Sequence, residues 1–156
     1  MNLQSLTRSQ VLSIPIDEAW SFFIEPKNLS KITPPRLGLK IVSGSSSRAY
    51  SGQIIVYTVT PFFKLPFSWV TEINHIKEPG FFVDEQRLGP FRFWHHQHSL
   101  YPEGKDATRV DDIVHYQLPL GFCGRFFLGS IVAARLKDIF DYRERQLSTL
   151  FSSDSS

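Results

Sequence analysis

The sequence predicts an α+β fold: a curved antiparallel sheet of about seven strands around one long C-terminal helix, with two short helices after the first strand. Three observations predict it. Residues 81–118 alternate apolar and polar side chains, interrupted by Gly89-Pro90 and by Pro102-Glu103-Gly104-Lys105-Asp106, which carry the glycine and proline chemistry of chain reversal. After Pro119-Leu120-Gly121 the apolar spacing becomes helical and stays so to Phe151. Prolines at 15, 26, 34 and 35 divide the segment after the first strand into pieces too short for anything but brief helices.

In chain order, residues 3–14 alternate as a strand, although both phases are mixed and neither is marked as the buried one. A helix follows from Pro15, with Asp17 expected as its N-cap and Glu18 near the positive end of the dipole. Ala19, Trp20, Phe23 and Ile24 form its buried side, and Pro26 ends it. The second short helix is expected from Asn28 and must stop at Pro34-Pro35. Strands are expected over residues 39–42 and 52–60, around a flexible Gly44-Ser45-Ser46-Ser47 turn, with Ile55, Tyr57 and Val59 in the apolar phase of the second. Residues 61–67, with two prolines and three phenylalanines, read as an aromatic loop that folds back on the core or offers a protein or membrane contact. Trp69, Thr71 and Ile73 lead the next strand, which Glu78-Pro79-Gly80 turns into the central stretch.

On the terminal helix Val132, Leu136, Ile139, Phe140, Leu147 and Leu150 share one stripe, with Lys137, Asp138, Asp141, Glu144 and Arg145 off it. At 100° per residue Arg143 lies near the centre of that stripe, where a guanidinium needs a carboxylate or carbonyls to receive it. Asp84 or Asp112 is the expected partner. Residues 1–151 read as a single domain and 152–156 as a disordered tail.

Composition bounds the function. A chain of 156 residues, 42% hydrophobic and 14% aromatic, has the makings of one sizeable core. A formal charge of +2, with cations interspersed among acids, argues against nucleic acid as a partner. The only cysteine, Cys123, has no disulfide partner and reads as a small apolar filler, which makes a cytoplasmic setting the expectation. No signal-like apolar run is seen at the N-terminus, and no segment approaches the roughly 20 apolar residues that span a bilayer.

Chemistry concentrates in the central strands. Trp94, His96, His98 and Leu100, then Val110, Asp112, Val114, Tyr116 and Leu118, share the apolar phase, so two imidazoles, a carboxylate and a phenol are expected on the core face. Asp84 and Gln86 share the phase of Phe82 and Leu88 and extend that polar patch onto an adjacent strand. Residues two apart on a strand are about 6.6 to 6.8 Å apart at the backbone, so His96, His98 and Asp112 are geometrically able to share a metal; a network of hydrogen bonds is the favoured reading, and neither metal nor cofactor is expected. His75 and His115 read as edge or surface residues. No nucleophile elbow and no phosphate-cradling glycine loop is present.

Several of these stretches carry a resemblance. Pro15 to Trp20, Phe82-x-Asp84-x-Gln86 before Gly89-Pro90-Phe91, Trp94-x-His96-x-His98, Asp112 with Tyr116 and Pro119-x-Gly121, and Phe140-x-Tyr142-Arg143 resemble small bacterial ligand-binding proteins of the START and Bet v 1-like superfamily, also called SRPBCC. The likeness covers nearly the whole chain and implies the helix-grip fold, with a hydrophobic cavity between sheet and long helix that admits a lipid, polyketide or other apolar or amphipathic molecule. It carries over no catalytic residue, since cyclases, hydrolases and carriers share the frame.

The resulting expectation is a binding protein. Tyr57, Trp69, Phe82, Trp94, Val114, Tyr116, Leu136 and Phe140 are the expected lining, with Asp84, Gln86, His96, His98, Asp112 and Arg143 as polar groups. The alternative is a cyclase, dehydratase or hydrolase using His or Asp as acid or base. Phe122, Phe126 and Phe127 at the helix start are candidates for a portal or a homodimer surface.

Overall fold

The computed structural model describes residues 3–45, 48–62, 65–119 and 121–152, with the side chains of 61, 62, 121–125 and 127 outside the described set. Seven strands form one antiparallel sheet in the order β1-β7-β6-β5-β4-β3-β2. They are β1 (Gln4–Leu12), β2 (Lys40–Ser43), β3 (Gln53–Phe62), β4 (Leu65–Lys77), β5 (Phe81–Leu88), β6 (Phe93–Pro102) and β7 (Thr108–Gln117). Helix α1 (Ile16–Phe23) and two 3₁₀ stretches, Pro26–Ile32 and Pro35–Leu37, follow β1, and helix α2 (Gly121–Leu150) closes the chain. The expected layers are therefore present in the expected order.

Local chemistry departs from expectation at four places. Helix α1 has Pro15 in the cap position with no side-chain cap, and Asp17 sits inside the first turn beside Glu18, where the helix dipole still favours both acids. Pro15 has no side-chain acceptor to offer, and its carbonyl instead receives the N–H groups of Glu18 and Ala19 at 3.1 and 3.0 Å. The second short helix is 3₁₀ and starts at Pro26 rather than Asn28, whose amide instead donates to the Phe22 carbonyl at 2.9 Å. The aromatic segment 61–67 is a hairpin rather than a loop: Phe62 pairs with Leu65, and Val59 with Phe67 across a register shift.

The fourth departure concerns α2. Among the described residues its buried positions are Gly129, Val132, Leu136, Phe140, Arg143 and Leu147, while Leu150 is 46% exposed and drops out of the expected stripe. Along β1 the helix is tied down by Arg8 to Asp141 at 3.3 Å and by the Gln10 amide, which donates to the Glu144 carbonyl and to Ser148 Oγ at 2.9 Å each. These bonds also settle the phase of β1: Leu6, Arg8, Gln10 and Leu12 face inward, and Val11 is 58% exposed.

Curvature comes from bulges. The β4–β5 ladder shifts between Val70 and Thr71 and again between Asn74 and Lys77, where His75 takes a left-handed φ of 50°. Extra residues on one strand bend it and increase its twist. The bent sheet buries two apolar clusters. One gathers Trp20, Ile24, Ile32, Ile55, Tyr57 and Phe82 between sheet and the α1/3₁₀ segment; the other joins Trp94, Val114, Tyr116 and Leu118 to Val132, Leu136 and Phe140 of α2. Trp69 packs against both. The side chains of Phe122, Cys123 and Phe127, and residues 153–156, lie outside the described set; Phe126 is 71% exposed.

Candidate functional site

Three neighbouring strands build the polar centre. In the register Asp84 of β5 lies opposite His96 of β6, and His98 of β6 lies opposite Asp112 of β7. Alternation sends all four side chains to the inner face, and strands spaced about 4.8 Å apart bring their heads together. Asp112 Oδ1 accepts a hydrogen bond from His96 Nε2 at 2.9 Å, and Asp84 Oδ1 accepts one from His98 Nε2 at 2.8 Å. The crossed approaches are also close: His96 Nδ1 is 3.3 Å from Asp84 Oδ1, and His98 Nδ1 is 2.8 Å from Asp112 Oδ1. That last nitrogen is buried and aimed off any acceptor, so its approach to Asp112 is electrostatic rather than a formed hydrogen bond.

Aromatic rings hold the imidazoles in place. Phe82 stacks on His98 with centroids 4.1 Å apart and planes 12° from parallel. Phe140 from α2 meets His96 edge-on at 5.6 Å, and the two imidazoles are 3.8 Å apart. Burial alone would push the Asp84 carboxyl upward; the charge of His96 and hydrogen bonds from both imidazoles outweigh it and hold the group well below the usual carboxylate range. Asp112 is depressed in the same way, burial again being overcome by the two histidines. For His98, burial opposes the charged form, but Asp112 and Asp84 prevail and raise its pKa, which favours the imidazolium. The centre is a closed ring of two carboxylates and two imidazoles.

A cavity of about 190 Å³ opens beside this ring. Ile55, Tyr57 and Val59 of β3, Trp69, Thr71 and Ile73 of β4, Phe82 and Asp84 of β5, and Trp94, His96 and His98 of β6 form its sheet wall. The opposite wall comes from the α1/3₁₀ segment, through Phe22, Phe23, Pro26, Leu29, Ile32 and Leu37 among others, and α2 adds Ile139 and Arg143. Burial, then the Asp84 charge, pushes the Tyr57 hydroxyl upward, so it stays a neutral donor.

The predicted residues divide accordingly. Tyr57, Trp69, Phe82, Asp84, Trp94, His96, His98 and Arg143 line the cavity. Val114, Tyr116 and Leu136 lie in the packed cluster under α2, and Asp112 and Phe140 border a separate void of about 20 Å³. Gln86 is turned to local work: its amide donates to the Phe91 carbonyl at 2.7 Å and its oxygen accepts from the Phe91 N–H, bracing the β5–β6 turn. The wall from residues 22–37 was missed. Its apolar phase was visible as the buried side of short helices, but periodicity does not say that a buried side faces a space rather than a neighbour.

Arg143 corrects the expected ion pair. It is 8% exposed, yet among the described residues neither Asp84 nor Asp112 nor any other acid pairs with it, and its Nε is buried without a partner. Both aspartates are already engaged by imidazoles, and the guanidinium lies 4.7 Å over the Phe140 ring. For a metal, the three donors within 4.8 Å of one another are Asp84, His96 and His98, rather than the set with Asp112. Each of their ring nitrogens already faces a carboxylate, so a cation would have to displace that network.

No protein-family model matches the chain, and no curated protein matches it by sequence. Solved structures do resemble it. A START superfamily protein from Mycobacterium smegmatis has a TM-score of 0.63 at 14% identity over 92% of this chain and 98% of that one. Norcoclaurine synthase from Thalictrum flavum, in complex with dopamine and hydroxybenzaldehyde, gives 0.69 at 14% identity over 99% and 90%. The Zhui aromatase/cyclase from Streptomyces sp. R1128 gives 0.68 at 12% identity over 99% and 100%. Likenesses at such identities bear on architecture, and with the bent seven-stranded sheet and its long terminal helix they show that this chain has the helix-grip fold of the START and Bet v 1-like proteins.

Proposed function

We propose that residues 1–151 act as one binding domain, in a cytoplasmic setting, that holds a compact and largely apolar small molecule between the sheet and the α1/3₁₀ wall. One observation carries this reading: a cavity of about 190 Å³, walled mainly by aliphatic and aromatic side chains, with Asp84, His96, His98 and Tyr57 gathered on its sheet side. Pockets for small molecules combine many apolar contacts with a few convergent polar groups. Size narrows the guest. An apolar cavity of about 150 Å³ takes up benzene, so the space here suits one or two rings rather than an extended acyl chain. Native mass spectrometry after gentle purification tests the reading: an adduct of low mass, or uptake of a one-ring or two-ring apolar compound with a raised melting temperature, is expected. A chain that arrives bare and takes up none of a panel of such compounds would sink it.

A second reading has its own support. His98 and Asp84, hydrogen-bonded to each other at 2.8 Å, both line the cavity, which places an acid and a base of suitable type beside the space a guest would occupy. Enzymes such as norcoclaurine synthase and an aromatase/cyclase share the fold. Turnover that disappears in His98→Ala while binding persists would favour this alternative.

A further inference from the structure

Arg143 is a buried, charged group whose Nε has no partner among the described residues. Its guanidinium carries five N–H donors, accepts nothing and stays charged at any ordinary pH. Burial of such a group costs several kcal/mol unless acceptors receive it. Here the residue is 8% exposed, its Nε has no partner, and it forms no ion pair or hydrogen bond among the described residues. Phe140 covers one face of the plane at 4.7 Å. A ring beneath the face attracts the cation but does not satisfy the donors around its edge.

The acids that would normally answer are committed elsewhere. Asp84 and Asp112 are each flanked by both imidazoles within 2.8 to 3.3 Å, which also offsets their charge toward the cavity. Glu25 lines the cavity as well, without pairing with Arg143. Arg143 also borders the void of about 20 Å³ beside Asp112 and Glu144, which has room for one water and so for a partner to only part of a guanidinium's edge. The residue also lines the main cavity, the larger of the two spaces it borders.

We propose that the guest is a small aromatic or alicyclic monocarboxylate whose carboxylate is received by Arg143 while its ring occupies the apolar space between β3–β6 and the α1/3₁₀ wall. This rests on the binding reading above and adds the ligand's charge and polarity. A planar carboxylate matches the parallel donors of a guanidinium, and a charge-assisted pair in a dry site is worth more than a neutral one. The ring end would meet Phe82, Leu29 and Ile32, whose side chains have no polar atom, beside the indole of Trp69.

The test compares phenylacetate, phenylacetamide and indole by isothermal titration at pH 7, on the full chain and on Arg143→Gln and Arg143→Lys. The full chain is expected to bind phenylacetate about ten-fold or more tightly than the amide. Arg143→Gln is expected to abolish that preference, with the amide and indole affinities changed less than about two-fold, and Arg143→Lys to keep part of it. Melting curves and indole binding report whether each variant is folded. Equal affinity of the full chain for acid and amide, or a preference that survives in Arg143→Gln, overturns the inference; if indole binds meanwhile, the cavity reading stands without it. Absence of binding by all three compounds overturns both.

Discussion

At the scale of single residues, the ring of Asp84, His96, His98 and Asp112 couples stability to pH, and the directions follow from geometry. Both aspartates are depressed below the ordinary 3.8, so their contribution is complete above that value and is lost as the pH falls through their folded-state values. His98 is raised above 6.5, so its contribution is complete below 6.5 and disappears as the pH climbs through its folded-state value. The ring therefore supports the fold best between about pH 4 and 6.5. Urea denaturation should give a higher midpoint at pH 5.5 than at pH 8.5, and His98→Gln should flatten that alkaline limb. A midpoint unchanged across this range in the parent chain would mean that folding does not raise the pKa of His98. The sequence located these four residues on one face, since alternation alone assigns a face; it did not assign partners, because pairing depends on the cross-strand register.

At the scale of elements, α2 shows what an amphipathic pattern can and cannot tell. Phe140 is 3% exposed, packs with Trp94 and Val114, meets His96 edge-on and lies under Arg143. Phe140→Ala should cost about 3 to 5 kcal/mol. Leu150→Ala, at a position 46% exposed, should stay within about 0.5 kcal/mol. Equilibrium unfolding of the two variants decides between this assignment and a stripe that runs the full length of the helix. The error at Leu150 has a simple cause: spacing places a residue on a stripe, but the stripe is buried only as far as the sheet beneath it reaches. Arg143 shows the converse, since the same spacing that marked it as buried was blind to which acid would be free to meet it. Segment 61–67 differs for a related reason: two prolines argue against a regular ladder, but strand pairing continues across a register shift, with Val59 opposite Phe67 and Phe62 opposite Leu65.

At the scale of the whole molecule, the cavity exists because the bent sheet and two helical layers do not meet completely. Ala49 sits on its wall, with its N–H bonded to the Ile24 carbonyl at 2.8 Å, which anchors the β2–β3 connection to the end of α1. Ala49→Leu adds three carbons toward the empty space. It should leave the melting temperature unchanged or raised, while uptake of a one-ring guest is lost. A large loss of stability would show that the space near Ala49 is already filled, contrary to the proposed function. Cavity filling of this kind separates binding from folding, because apolar burial favours the variant while the guest loses its room.

By itself the sequence determined the succession of elements, the inward face of β5 to β7 and the inward placement of Arg143. Each of these is written in local periodicity: two residues per strand repeat, 3.6 per helical turn. Tertiary structure alone decided that Asp84 and Asp112 belong to the histidines and not to Arg143, that Gln86 serves a turn, and that residues 22–37 wall a space rather than plug it. Those outcomes depend on how far apart layers settle and on which partner arrives first within hydrogen-bond reach, and no repeat along a single chain encodes a distance between its distant parts.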